Sequence, residues 1–126
     1  MDIEIVKEIA QMAQMAKRYF SPVEIAQLEG LSGEELTRAF YDCWTRKEAY
    51  LKAKGVGLHY ALDQFSVSVR PSESTVLIQN IDEPEDVSQW KLKAVTVGTG
   101  YSSAVAVEGQ NHAWRFFDWN REGPKD

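Results

Sequence analysis

The sequence predicts an α+β fold in which an antiparallel sheet of three to five strands packs on one long helix. In the first part of the chain, up to Gly55, apolar residues recur at helical spacing. After Gly55 the period changes, and short segments alternate in polarity or are rich in β-branched residues, with turn residues between them. No linker separates the two parts, so residues 1–126 are expected to form a single domain.

The first elements are a short acidic stretch and a helix. In a strand, Asp2-Ile3-Glu4 would project both carboxylates from one face while Ile3 enters the core. Apolar residues at helical spacing then predict a first helix from Ile5 to Phe20.

Two capping boxes predict the starts of the next helices. Ser21 as N-cap and Glu24 three residues later indicate a second, short helix. Ser32 and Glu35 form the same pattern and open the longest helix, roughly Gly33 to Lys54, which a glycine at the next position ends in a left-handed conformation. Strands are predicted at 65–69, 75–79, 90–97, 103–107 and, as a last strand, 113–117.

Composition excludes several classes of function. Fourteen Lys and Arg against nineteen Asp and Glu give a net charge of −5, which argues against general nucleic-acid binding. No apolar run approaches the roughly 20 residues of a membrane span, and the first residues lack the pattern of a secretory signal. The single cysteine, Cys43, cannot form an internal disulfide and is expected to be a buried hydrophobe. We therefore expect a cytoplasmic protein.

The long helix carries charges where its apolar face should continue. Lys47 and Glu48 interrupt the face, and Trp44, Glu48 and Lys52 are spaced four apart, so these three share one row. Charged side chains in line with a buried Trp must form an ion pair, be hydrated or bind a ligand. The alternative is a surface Glu–Lys pair, which stabilises a helix by only a few tenths of a kcal/mol.

Asp2 and Glu4 form a second candidate feature. Two parallel carboxylates repel each other unless a cation lies between them, and oxygen ligands are those that Mg²⁺ prefers. The alternative is a solvated acidic terminus.

Together these features resemble a known signature. Asp2-Ile3-Glu4 is followed by WTRKEAYLK at 44–52, and this resembles the G-[IV]-D-x-E and W-x-x-K-E-[AS]-x-x-K motifs of the 4′-phosphopantetheinyl transferases. Segments 17–24, 55–67 and 100–107 are also similar to the family, so the likeness covers most of residues 2–107. Within the family, Trp44 and the Asp-x-Glu pair favour the larger, surfactin-synthetase-activating type.

The resemblance implies an enzyme and assigns roles to residues. The expected reaction transfers the 4′-phosphopantetheine arm of coenzyme A to a serine of an acyl or peptidyl carrier protein and releases adenosine 3′,5′-bisphosphate. Asp2, Glu4 and Glu48 are expected to bind Mg²⁺, and Glu48 also to accept the serine proton. Lys52 is expected to neutralise the leaving phosphates, and Lys47 to contact a phosphate or orient Glu48.

The resemblance is to the second half of the larger type, whose two similar halves bind coenzyme A between them. It implies a homo-oligomer or pairing with an N-terminal half, which normally holds the nucleotide's 3′-phosphate. The alternative is a non-catalytic half-domain that binds coenzyme A or a carrier protein. The carrier would be one of fatty acid, polyketide or nonribosomal peptide biosynthesis.

Other residues are expected to be secondary. His59 and His112 are too far apart in sequence to predict a metal pair. A late aromatic cluster could dock a partner or cover its own core: Trp114, Phe116, Phe117 and Trp119. A basic patch for an acidic carrier protein would use Lys17, Arg18, Arg38 and Arg46.

Overall fold

The long helix predicted from the sequence is the element on which the chain folds. In the computed structural model, which describes residues 1–6, 12–56, 61–69, 75–95, 98 and 100–109, helix α3 spans Gly33–Lys54. Gly55 ends it in the left-handed conformation, with φ of 74°. Ser32 is the N-cap as predicted, but its side chain makes no capping bond, so the second capping box is wrong. Gly33 has φ of 59°, and this non-helical first residue moves the next amides away from the Ser32 side chain.

Among the described residues, two shorter helices precede α3, and two short helical segments, a 3₁₀ turn and α4, lie after it. The order along the chain is β1 (Asp2–Ile5), α1 (Met12–Tyr19), α2 (Pro22–Leu28), α3, a 3₁₀ turn (Leu62–Gln64), β2 (Phe65–Val67), β3 (Leu77–Asn80), α4 (Asp86–Gln89), β4 (Trp90–Ala94) and β5 (Tyr101–Glu108). The sequence did not predict α4 or the 3₁₀ turn. None of the helices in the described ranges combines the length and apolar character that a membrane span needs.

The strands form two antiparallel sheets. One described sheet has three strands in the order β1-β5-β4 and packs against α3. The other is a two-stranded sheet of β2 and β3. The α+β class and an antiparallel sheet on a long helix are therefore confirmed. The segment at 113–117, predicted as a last strand, lies outside the described residues.

Strand β1 corrects two predictions. Ile5 belongs to this strand, opposite Tyr101 of β5, and not to the first helix. Ile3 is 48% exposed, whereas Asp2 is only 6% exposed, so the carboxylates and not Ile3 face inward. The reason is that the inward face of β1 meets α3, whose Lys52 pairs with Asp2.

The core lies between α3, the other helices and the two sheets. Its largest side chains with little or no exposure include Tyr50, Phe65, Val67 and Val69. Cys43 is fully buried, as predicted, and burial raises the pKa of its thiol well above the ordinary value. Packing of this core fixes α3 and, with it, every candidate site residue that α3 carries.

Candidate active site

Asp2 of β1 and Lys52 of α3 meet at the edge of the core. The Lys52 ammonium nitrogen lies 2.5 Å from Oδ1 of Asp2. Asp2 is buried, but 55% of the Lys52 side chain is exposed. The other carboxylate oxygen, Oδ2 of Asp2, is buried and has no hydrogen-bond partner among the described residues. Such an oxygen is unusual, since buried polar atoms are nearly always satisfied.

Glu48 lies one helical turn before Lys52 and is half-buried. Its pKa is raised from the ordinary value, first by burial and then by the negative charge of Asp2. Lys52 opposes this shift, and Glu4 adds to it. Asp2, Glu4, Glu48 and Lys52 therefore influence one another electrostatically in the structure.

Lys47 lies elsewhere. Its side chain is 1% exposed, and its ammonium donates to Oε1 of Glu24 at 2.7 Å and to the carbonyl oxygen of Phe65 at 2.6 Å. The same ammonium lies 4.0 Å from the centre of the Phe65 ring. The structure therefore places Lys47 inside the core rather than beside the three carboxylates, and a phosphate contact by Lys47 finds no support in this geometry.

Glu24 is the important residue that the sequence interpretation missed. It was predicted only as part of a capping box, and that box is present in full, with Ser21. Glu24 is also fully buried, and its Oε2 accepts from the backbone N–H of Val67 at 2.8 Å. The signal was available, because Lys47 within an apolar stripe requires a buried acidic partner.

Trp44 packs beside the site, as expected for a residue that supports the Lys–Glu segment. Its ring stacks nearly parallel to Phe40 at 6.5 Å and meets Tyr19 edge-on at 6.2 Å. These ring contacts join α1 to α3 and hold the helix row that carries Glu48.

The three carboxylates have the donor chemistry of a divalent-cation site. All their donors are oxygens, and one of these, Oδ2 of Asp2, is buried and lacks a partner. Within the described ranges, no three or more His, Cys, Asp or Glu side chains lie close enough together to hold a metal ion, and Lys52 is bound to Oδ1 of Asp2. The residues match Mg²⁺ in charge and ligand type, although their side chains are not gathered around a common point in this structure, and the binding itself stays a prediction.

The family is decided by comparison with known proteins. The model of the 4′-phosphopantetheinyl transferase superfamily matches residues 1–107, which include both motifs. The chain belongs to this superfamily.

Curated relatives of this phosphopantetheinyl transferase domain agree with the assignment. A putative 4′-phosphopantetheinyl transferase of Synechocystis sp. is 38% identical over 119 residues, which cover 94% of this chain and 44% of the relative. The 4′-phosphopantetheinyl transferase Sfp of Bacillus subtilis is 35% identical, with 84% of this chain and 45% of Sfp covered. The chain therefore spans less than half the length of these relatives.

Solved structures share the fold. A holo-(acyl-carrier-protein) synthase from Bacillus anthracis, in complex with CoA (3′,5′-ADP), superposes with a TM-score of 0.66 at 23% identity, covering 86% of this chain and 93% of the synthase. A Helicobacter pylori holo-[acyl-carrier-protein] synthase in complex with coenzyme A gives a TM-score of 0.56 at 20% identity, covering 86% and 96%. At these identities the likeness establishes the phosphopantetheinyl transferase fold.

Proposed function

We propose that this chain provides the catalytic residues of a 4′-phosphopantetheinyl transferase. The reaction moves the 4′-phosphopantetheine arm of coenzyme A to a serine of an acyl or peptidyl carrier protein. The observation that carries the proposal is the approach of Glu48 and Lys52 on α3 to Asp2 and Glu4 on β1, in a chain of this superfamily. The complexes of the two neighbouring synthases support coenzyme A as the donor.

Asp2, Glu4 and Glu48 would hold Mg²⁺, which when bound supplies positive charge to the pyrophosphate and makes its phosphorus more electrophilic. These residues lie on two different elements, β1 and α3.

Glu48 is the proposed base. In the transfer, the serine oxygen bonds to the phosphorus that carries the arm, while the bond from that phosphorus to the bridging oxygen of the pyrophosphate breaks. Glu48 accepts the serine proton in this step. Lys52, whose side chain is largely exposed, donates to the phosphates of the departing adenosine 3′,5′-bisphosphate.

The test is the substitution Glu48→Gln, which keeps the shape and removes the basic carboxylate. Labelling of an apo carrier protein by fluorescent coenzyme A with Mg²⁺ is expected to fall by about 10²- to 10⁴-fold, the usual contribution of a general base. Glu34→Gln, in the exposed first turn of the same helix, is the matched control and should retain labelling. Circular dichroism checks that both variants fold. Full labelling by Glu48→Gln would remove Glu48 from its role.

We further propose that the active assembly contains a second copy of this chain, held by the outer face of β1 and β5. Ile3, Ile5 and Tyr101 are 48%, 61% and 42% exposed, and Ile5 lies directly opposite Tyr101 in the sheet. In the described part of the chain, β1 is also an edge strand of its sheet, and an exposed apolar edge favours association between chains.

Light scattering on the purified chain tests this pairing. Wild type is expected to be larger than a monomer at tens of micromolar, and Ile5→Glu to shift the mass to that of the monomer, because a buried charge opposes the contact. Val23→Glu, a partly exposed position on α2, is the control and should keep the wild-type mass. A monomeric wild type would contradict self-assembly and point to pairing with a separate half.

A second candidate function is a half-domain that binds coenzyme A or a carrier protein without turnover. The observation that favours it is the coverage of less than half of the curated relatives. The labelling assay separates the two functions: binding of fluorescent coenzyme A without transfer to any carrier would favour the binding module.

A further inference from the structure

The contact between Lys52 and Asp2 has a feature that an ordinary ion pair lacks. Only one oxygen of the Asp2 carboxylate is paired, while its buried Oδ2 has no partner among the described residues. The Asp2 residue is only 6% exposed. A carboxylate this well shielded from water normally has both oxygens satisfied, so the pair is electrostatically incomplete.

The charges around this contact are also unbalanced. Glu4 lies two residues after Asp2 on the same face of β1, and Glu48 lies one helical turn before Lys52, which pairs with Asp2. One ammonium thus serves three carboxylates, which leaves an excess of negative charge beside a buried, unpaired oxygen. A divalent cation would remove that excess, whereas a single ammonium removes only part of it.

The Lys52 side chain can leave this contact easily. More than half of it is exposed, and its flexible four-carbon stem allows the ammonium to move without disturbing the helix. Because the Lys52 end of the pair is exposed, water can replace the ammonium's contact with Asp2 as it leaves.

We propose that Lys52 is an exchangeable counterion of Asp2, which a divalent cation displaces. In the metal-free chain its ammonium neutralises Asp2. When the cation binds to Asp2, Glu4 and Glu48, Lys52 leaves Oδ1 and its ammonium becomes free to bind the phosphates of the substrate. This inference rests on the metal site in the proposed function and assigns Lys52 two successive positions. It makes Lys52 a competitor of the cation as well as a phosphate ligand.

The experiment measures binding of Mn²⁺ alone to the purified chain, by electron paramagnetic resonance, with no nucleotide present. Lys52→Met removes the competing ammonium and is expected to tighten Mn²⁺ binding by roughly two- to fivefold, the equivalent of one exposed ion pair. The same variant is expected to transfer the arm more slowly, because the phosphates lose their ammonium. Lys17→Met, on the exposed side of α1, makes the same change of net charge and should leave Mn²⁺ affinity unchanged.

Asp2→Asn separates the inference from the proposed function. If Asp2→Asn abolishes Mn²⁺ binding while Lys52→Met leaves affinity unchanged or weakens it, the metal site stands and the exchange is overturned. If Asp2→Asn binds Mn²⁺ as wild type does, the proposed metal site itself is wrong and the exchange fails with it. Tighter binding by Lys52→Met together with loss of binding by Asp2→Asn supports the exchange.

Discussion

Two lysines of helix α3 each pair with an acidic residue from an earlier element, and the two pairs differ in almost every physical respect. Lys47 and Glu24 are both buried, with side chains 1% and 0% exposed. Lys52, by contrast, reaches Asp2 from solvent. Because the residue types are nearly the same, the difference arises from the surroundings and not from the chemistry of the pair.

Each charged side-chain atom of the buried pair has at least one hydrogen-bond partner. Glu24 accepts from Lys47, from the N–H of its own cap residue Ser21 and from the N–H of Val67, while Lys47 also donates to the carbonyl of Phe65. These bonds join α2, α3 and β2 in one network. A buried ion pair is tolerated when hydrogen bonds satisfy both charges, and the burial of this pair keeps it out of reach of a ligand from solvent.

The pair at the candidate active site is the opposite case. Oδ2 of Asp2 has no partner among the described residues, and the Lys52 side chain is 55% exposed. The comparison teaches that a charge in an apolar stripe has two physical explanations. A buried, hydrogen-bonded network indicates a structural role, and an unsatisfied buried oxygen beside an exposed cation indicates a binding site.

The largest expected effect is that of Lys47→Met. It removes one partner of a buried pair and leaves Glu24 as a buried, uncompensated charge, which typically costs about 3–5 kcal/mol of unfolding free energy. The measurement is unfolding by urea, followed by circular dichroism. The double variant Glu24→Gln with Lys47→Met, which removes both charges, is expected to recover part of the loss. A change below about 1 kcal/mol, the range of exposed pairs, would show that Lys47 is not structural.

An intermediate effect is expected at the cap that holds Glu24. Ser21→Ala removes the hydroxyl that accepts from the Glu24 N–H and that also bonds to the Ser66 hydroxyl at 2.6 Å. We expect a loss of about 1–2 kcal/mol in the same urea measurement. Ser32→Ala is the matched control, since that N-cap makes no side-chain bond, and it should change stability by only a few tenths of a kcal/mol. Equal losses at both caps would contradict this distinction.

The sequence was sufficient where the signal is local. Capping residues next to α3 predicted where this helix begins and ends, with Gly55 at its end. The helical period predicted that Glu48 and Lys52 lie one turn apart in one row on it. The approach of Asp2 to that row came from the motif resemblance, because no local rule relates residues 50 positions apart.

The predictions that failed depend on contacts distant in sequence. Ile5 continues a helical apolar spacing, yet pairing with Tyr101 of β5 places it in a strand. Ile3 was expected inside because apolar residues usually are, but the inward side of β1 meets Lys52 and takes Asp2 instead. The partner of Lys47 is Glu24, 23 residues away in α2. The sequence predicted the place of Glu24 in the capping box but not its ion pair with Lys47.

The smallest expected effect on stability is that of Lys52→Met in the metal-free chain. Asp2 loses its cation, but the exposed space that the Lys52 side chain occupied admits water to Oδ1, so the carboxylate stays solvated on that side. We therefore expect a loss of less than about 1 kcal/mol in urea unfolding, in contrast to Lys47→Met on the same helix. The measurement compares the two lysine variants side by side, with Lys17→Met as the control for net charge. If Lys52→Met lowers the unfolding free energy as much as Lys47→Met does, the ion pair of Lys52 with Asp2 is structural. The two pairs then no longer differ physically, and Lys52 cannot be an exchangeable counterion of Asp2.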